Sequence, residues 1–184
     1  MTRPPFPIII LAVLFGAAMV WLVVTALLPQ SVPTFAPRTG PSRPAAPGAP
    51  DTVTIDARDP DQWQFFAFDR GLLVPPDTAA WDVGVRRFHM IVAGAAAAVD
   101  TLGFAALARE PSQGFEPTTL DRDTLNRALA RWYRYSMFSH LLRPRPRVYV
   151  IRTAAGRYVK LEVLSYYCPG PEPGCLTFRY AVLR

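Results

Sequence analysis

The chain has 184 residues, a formal net charge of +6 and two cysteines. Two thiols with no histidine near them are too few for a structural zinc site, which needs four ligands. The length is sufficient for a single domain with its own hydrophobic core, in addition to an apolar N-terminal segment.

The N-terminal segment is the most hydrophobic part of the chain. Residues Ile8 to Leu28 form an unbroken apolar run of 21 residues, in which Thr25 is the one polar side chain. This is the length that a helix needs to cross the roughly 30 Å hydrocarbon core of a bilayer. A cleaved secretory signal has a shorter apolar stretch of about 7–15 residues and a cleavage site of small residues. We therefore predict an uncleaved signal anchor.

The charges around this run predict its orientation. Arg3 precedes it, whereas no Lys or Arg follows it until Arg38. The positive-inside rule then makes residues 1–28 a cytoplasmic N-terminus with a transmembrane helix, and it places the rest of the chain in the periplasm. The predicted location is the bacterial inner membrane, cytoplasmic or intracytoplasmic, with a single pass. The first cysteine is Cys168, so no acceptor for a lipid anchor lies near the N-terminus.

One face of the predicted helix is suited to close helix packing. Ala12 and Gly16 form a pair of small residues four positions apart, which lets two helices approach closely. Trp21 would contact either a neighbouring helix or the membrane interface. We therefore predict that these three residues pack against an integral-membrane partner.

A proline-rich linker, residues 29–50, follows the helix. Its last four prolines, at positions 41, 44, 47 and 50, recur every third residue. This spacing favours polyproline II, in which a segment of this length would reach on the order of 70 Å. Two interpretations stay open: a disordered tether, and a segment that is ordered only because it lies against a partner protein.

The remaining residues, 51–184, are assigned to one domain in which strand patterns dominate. Runs rich in β-branched and aromatic residues occupy positions 52–57, 63–68, 81–85, 148–153, 157–167 and 176–183. A short helix is predicted at 121–131, because Leu125, Leu129 and Trp132 share one helical face. The alanine run at 95–98 is compatible with a helical turn or a loop. The predicted fold class is therefore all-β, mostly antiparallel, with one short helix and the N-terminal transmembrane helix.

The two cysteines are predicted to form a disulfide. Cys168 and Cys175 bracket the loop PGPEPG between two strand-like runs, so they would face each other across a hairpin. Such a bond persists in an oxidising compartment, which agrees with a periplasmic domain.

Several motifs in the domain resemble the HmuY family over most of residues 51–184. They are WDVGVRR at 81–87, WYxY at 132–135, YVIRTxxGxYxK at 149–160, SYY at 165–167 and LTFxY at 176–180. The resemblance implies a largely antiparallel, twisted β-sheet fold. It also implies an exported protein related to haem-binding proteins that hold the iron between two side-chain ligands, commonly histidines.

Haem ligation is the alternative role of the two histidines, His89 and His140. Met90 follows the first, and Met137 lies near the second, so His/His or His/Met ligation is chemically feasible. The simpler interpretation is that each histidine is an ordinary strand or strand-end residue, and we predict no resident metal or cofactor. No GxSxG, P-loop, HExxH or GxGxxG motif occurs, so we also predict that the chain is not an enzyme. Asp82 is interpreted as a structural partner for Arg86 or Arg87.

The charge of the domain is divided unevenly along the sequence. Residues 51–120 carry five Arg and ten acidic residues, whereas residues 121–184 carry twelve basic and four acidic residues. An exported domain rarely meets nucleic acid, so the basic part would face anionic lipid headgroups or an acidic protein, or would simply be solvated. The predicted basic contact face comprises Arg127, Arg131, Arg134, Arg143, Arg145 and Arg147.

These features together predict a non-catalytic accessory subunit of a larger integral-membrane complex. Its helix, linker and periplasmic domain would stabilise the assembly, for which a photosynthetic reaction centre with its light-harvesting proteins is the expected context. The alternative is a membrane-tethered haem-binding protein.

Overall fold

The computed structural model describes residues 5–27, 31–38, 40, 49–75, 77, 80–99, 102–119 and 124–183. They belong to two compact units. The first comprises residues 1–31 together with 136–141, and the second comprises residues 32–135 together with 142–184.

The N-terminal helix, α1, extends over Phe6–Leu27 and carries no acidic residue in its first turn and no basic residue in its last turn. Its segment Phe6–Thr25 has a mean hydropathy of 2.8, and none of its most apolar stretch is buried within the chain. The Thr25 hydroxyl donates a hydrogen bond to the carbonyl of Trp21, 2.9 Å away, which satisfies the one polar side chain of the run. The helix is therefore a candidate membrane span, as predicted.

The second unit is built from short strands. In chain order, the described residues form β1 (Asp51–Asp56), β2 (Gln64–Ala67), β3 (Leu72–Val74), β4 (Val83–Arg86), β5 (His89–Val92), β6 (Ala95–Val99), β7 (Glu116–Pro117), β8 (Tyr133–Tyr135), β9 (Leu142–Pro144), β10 (Val148–Arg152), β11 (Tyr158–Tyr167) and β12 (Pro173–Val182).

These strands pair in three antiparallel sheets. The largest has the order β1-β12-β11-β10-β6-β7, the second has the order β3-β2-β4-β5, and β8 pairs with β9 alone. Each predicted run of strand residues overlaps a named strand, and the antiparallel succession of β10, β11 and β12 is confirmed. The alanine run that the pattern left undecided is β6, which pairs residue for residue with β10. The all-β antiparallel fold class is thus confirmed.

The core lies where the two larger sheets pack together. Phe66 of β2 contacts Phe178 of β12 edge to face, with ring centroids 5.9 Å apart, and Phe68 approaches Tyr180 at 5.0 Å. All four rings are buried. Burial on this scale, at about 25 cal/mol per Å² of apolar surface, is the main force that holds the sheets face to face.

The short helix predicted at 121–131 is not formed in its described part. Residues 121–123 lie outside the described residues, and residues 127–131 form a turn. The Ala130 N–H donates to the Asn126 carbonyl at 2.8 Å, and the Trp132 N–H donates to the Leu129 carbonyl at 3.2 Å. A single turn is enough to bury Leu129 and Trp132 completely, so their helical spacing does not require a longer helix.

Part of the linker binds to the domain of the same chain. The Phe35 N–H donates to the Tyr167 carbonyl at 3.0 Å, and the Arg38 N–H donates to the Thr54 carbonyl at 3.3 Å. The Ser165 hydroxyl also donates to the Pro33 carbonyl. Residues 33–38 are therefore ordered by contacts within the chain and do not require a partner protein for their order. Residues 28–31 are what remains between α1 and Val32, where the second unit begins.

Candidate functional site

The β8–β9 hairpin lies beside a buried tryptophan that fixes its position. Trp132, directly before β8, is fully buried, and its indole N–H donates to the Phe88 carbonyl at 2.8 Å. Its ring contacts Tyr166 of β11, with centroids 6.0 Å apart. The backbone N–H of Arg145, directly after β9, donates to the Trp132 carbonyl at 2.8 Å. A two-stranded hairpin is only marginally stable alone, so these contacts hold β8 and β9 on the domain.

A basic groove of about 540 Å³ is open to solvent next to this hairpin. It is lined by Ala130, Arg131, Tyr133, Arg134, Tyr135 and Arg145, and we refer to these six residues as the basic groove. The Arg145 guanidinium is oriented by its Nε–H, which donates to the Tyr133 carbonyl at 3.0 Å. Across the two strands, Arg134 lies directly opposite Arg143. Cross-strand partners lie side by side, so β-pairing places these two basic side chains next to each other.

The structure brings together three of the six predicted arginines, and β-pairing adds a fourth. Arg131, Arg134 and Arg145 line the basic groove, and Arg143 lies opposite Arg134. Arg127 is exposed on the turn that precedes β8, and Arg147 is half-buried after β9; neither lines the groove. Sequence reasoning missed Tyr133 and Tyr135, although their alternation with Arg134 in the segment WYRY is a visible signal of a mixed aromatic and basic surface.

The two histidines lie in different compact units and are both exposed. His89 begins β5, and its ring stacks on that of Phe88, with centroids 4.4 Å apart. His140 belongs to the loop 136–141, where its backbone has a left-handed φ of 54°. Neither lines the basic groove, the groove beside Phe65 and Trp81, or the groove beside Val32 and Pro33. Within the described ranges, no three His, Cys, Asp or Glu side chains cluster as metal ligands would.

Asp82 is buried, and its carboxylate accepts hydrogen bonds from backbone N–H groups instead of pairing with an arginine. Its carboxylate accepts the N–H of Phe68 at 2.9 Å, and it also accepts a backbone hydrogen bond from Ala154. Burial raises the pKa of the Asp82 carboxyl above its ordinary value, and these two hydrogen bonds oppose the rise. The predicted pairing with Arg86 or Arg87 is wrong as far as the described residues show. Arg86 instead lies over the ring of Trp63, at 4.7 Å.

Lys160, the single lysine of the chain, also has a structural role. Its ammonium group donates to the carbonyls of Phe104 and Leu107, both at 2.8 Å. Burial lowers the pKa of the Lys160 ammonium, and the charge of Arg179 lowers it further. The lysine thereby fastens the loop at 103–107 to β11, which explains its place in the motif that ends at residue 160.

The predicted disulfide is present. Cys168, directly after β11, is bonded to Cys175 in β12, and their Cα atoms lie 4.9 Å apart. The bond closes the hairpin between these strands beside Tyr167, whose carbonyl binds the linker at Phe35.

The residues predicted for helix packing are all exposed on α1. Trp21 is 64% exposed, and a Cβ added at Gly16 would meet no atom of the described residues within 4 Å. Ala12 is exposed as well. Ala12 and Gly16 lie about 40° apart around the helix and share one face, whereas Trp21 lies about 140° from Gly16. Both surfaces are available to a neighbouring helix or to lipid.

Comparison with known proteins agrees with the antiparallel β fold of the domain. Residues 59–180 match the HmuY protein family. No curated protein matches the sequence, whereas several solved structures share its fold. The apo HmuY analogue of Tannerella forsythia is 15% identical, with a TM-score of 0.64, over 73% of this chain and 96% of that one.

Two structures from Bacteroides are similar in the same way. One is a protein from Bacteroides vulgatus proposed to be an HmuY-like heme-binding protein, 19% identical, with a TM-score of 0.59, over 71% of this chain and 90% of that one. The other is a protein from Bacteroides fragilis proposed to be a lipoprotein, 18% identical, with a TM-score of 0.58, over 71% of this chain and 89% of that one. Since the family match covers well over half of the sequence, the chain belongs to the HmuY family.

Proposed function

We propose that the chain is a non-catalytic, single-span accessory subunit of an integral-membrane complex, with its HmuY-like domain in the periplasm. The observation that carries this proposal is α1, an apolar helix of 22 residues whose described side chains are almost all exposed. Exposed apolar surface of this extent must be covered by lipid or by other helices. The relatives described as lipoprotein or heme-binding proteins support a domain outside the cytoplasm.

The small-residue face of α1 supports a protein neighbour. Helices in a membrane associate through close packing, because lipid tails are as apolar as the side chains they contact. Ala12 and Gly16 present the kind of surface that permits such an approach, and among the described residues no atom lies within 4 Å of a Cβ added at Gly16. Neither the family nor the matched structures connects the chain with a photosynthetic assembly, so the proposal names no particular complex.

The first prediction tests helix packing. Replacing Gly16 with isoleucine is expected to reduce the amount of partner that co-purifies in mild detergent several-fold, because the β-branched side chain holds the helices apart. Ala18→Ile is the matched control, since residue 18 lies about 200° around the helix from residue 16. Partner recovery should be unchanged in the control. Equal recovery with both variants, at equal membrane levels of the chain, would contradict the proposed packing face.

Haem binding is the second candidate function, supported by the family and by the Bacteroides vulgatus relative. Against it stands the exposure of both histidines. We expect that titration of the purified chain with haemin gives no stoichiometric Soret band, and that His89→Ala and His140→Ala leave the spectrum unchanged. A one-to-one Soret band that either substitution abolishes would make haem binding the better supported function.

A further inference from the structure

The basic groove carries three arginines, and its composition indicates the kind of partner it fits. It combines guanidinium groups, which bind phosphate oxygens in a fork, with tyrosines, whose rings favour the interface between water and lipid. The side chains of Arg131 and Arg134 are exposed, and the described residues place no carboxylate within ion-pair distance of either. Their charge is therefore available to an anion from outside the chain.

The number of residues between α1 and the domain indicates which anion the groove meets. Val32 already belongs to the domain unit, and Pro33, Phe35 and Arg38 are hydrogen-bonded within that unit, so only residues 28–31 separate α1 from the domain in the sequence. Four residues reach at most about 14 Å even when fully extended. This is far less than the reach expected for a free proline-rich linker. If α1 spans the bilayer, lipid headgroups are thus the anions that the domain meets at the highest concentration.

We propose that the basic groove binds the phosphate groups of anionic phospholipids and so docks the domain on the membrane surface. The inference rests on the part of the proposed function that places α1 in a bilayer, but it does not require a protein partner for the helix. A headgroup phosphate can accept hydrogen bonds from Arg131 and Arg134, the exposed arginines of the groove. Each basic residue near an anionic surface adds about five-fold to the affinity for it.

The test uses the full chain in lipid nanodiscs, one set of phosphatidylcholine alone and one set with about a third of phosphatidylglycerol. Amide hydrogen exchange over β8 and β9 is expected to be slower in the anionic discs and to return to the neutral-disc rate in high salt, which screens the contact. In the variant that combines Arg131→Gln with Arg134→Gln, the slowing of exchange by anionic lipid is expected to be roughly 10- to 30-fold smaller. Arg70→Gln combined with Arg109→Gln removes the same charge from exposed positions outside the groove and should leave the protection intact.

Two outcomes would overturn the proposal. One is equal exchange of β8 and β9 in both sets of discs. The other is protection that appears only when a co-purifying acidic protein is added, which would assign the groove to that protein. Failure of the proposed helix packing would be distinguishable from failure of lipid binding. In that case anionic lipid would still slow exchange over β8 and β9, while Gly16→Ile and Ala18→Ile would recover equal amounts of partner.

Discussion

Replacement of Trp132 with alanine is expected to lower the free energy of unfolding by about 3–5 kcal/mol, the range for removal of a large buried aromatic side chain. Trp132 is fully buried, its ring contacts Tyr133 and Tyr166, and its N–H is bonded to the Phe88 carbonyl. The substitution leaves a cavity and one buried carbonyl without its donor. Denaturant unfolding followed by circular dichroism measures the effect.

Two companion variants separate the causes. Trp132→Phe keeps most of the apolar volume but removes the donor, so it should cost only about 1–3 kcal/mol. Tyr135→Ala, at a side chain that is 48% exposed, should cost less than about 1 kcal/mol. A Trp132→Ala loss no larger than that of Tyr135→Ala would contradict the assignment of Trp132 as the residue that fixes the hairpin. Because Arg145 is bonded to the Trp132 backbone, the alanine variant should also disorder the basic groove.

Much of the fold was predictable because its signals are local. The alternation of β11, with Val159, Leu161 and Val163 buried and their neighbours half-buried, is the pattern expected of a strand with one face in a core. The apolar run of α1 is an equally local signal. The helix predicted at 121–131 failed for a different physical reason. At residues 127–131, burial of Trp132 requires only one turn, and periodicity cannot distinguish a turn from a short helix.

The linker and the candidate site depended on contacts between residues far apart in sequence. Proline spacing describes the intrinsic conformational preference of residues 29–50. It does not reveal that the Phe35 N–H donates to the carbonyl of Tyr167, more than a hundred residues away in sequence. Likewise, a count of arginines in residues 121–184 identifies a basic region. The pairing of β8 with β9 decides that Arg134 and Arg143 face each other while Arg127 and Arg147 lie elsewhere.

Removal of the disulfide is the second large effect we expect. Replacing both Cys168 and Cys175 with serine should lower the free energy of unfolding by about 2–3 kcal/mol, the loop-closure contribution of a bond across seven positions. Cys175 is completely buried, so the serine hydroxyl adds a cost if it lacks a partner. Denaturant unfolding of the oxidised chain, the reduced chain and the double variant measures both contributions.

The consequence of this loss should extend beyond the hairpin that the bond closes. Tyr167, directly before Cys168, accepts the Phe35 N–H at its carbonyl, and its hydroxyl accepts the Leu142 N–H of β9 at 2.8 Å. When the end of β11 loosens, both the linker contact and one support of the hairpin weaken together. Faster amide exchange at Phe35 and Leu142 in the double variant would demonstrate this coupling, and unchanged exchange there would confine the role of the bond to its own loop. Labelling of the denatured, unreduced chain should find no free thiol, and two labelled thiols would contradict both the bond and the oxidising compartment that it implies.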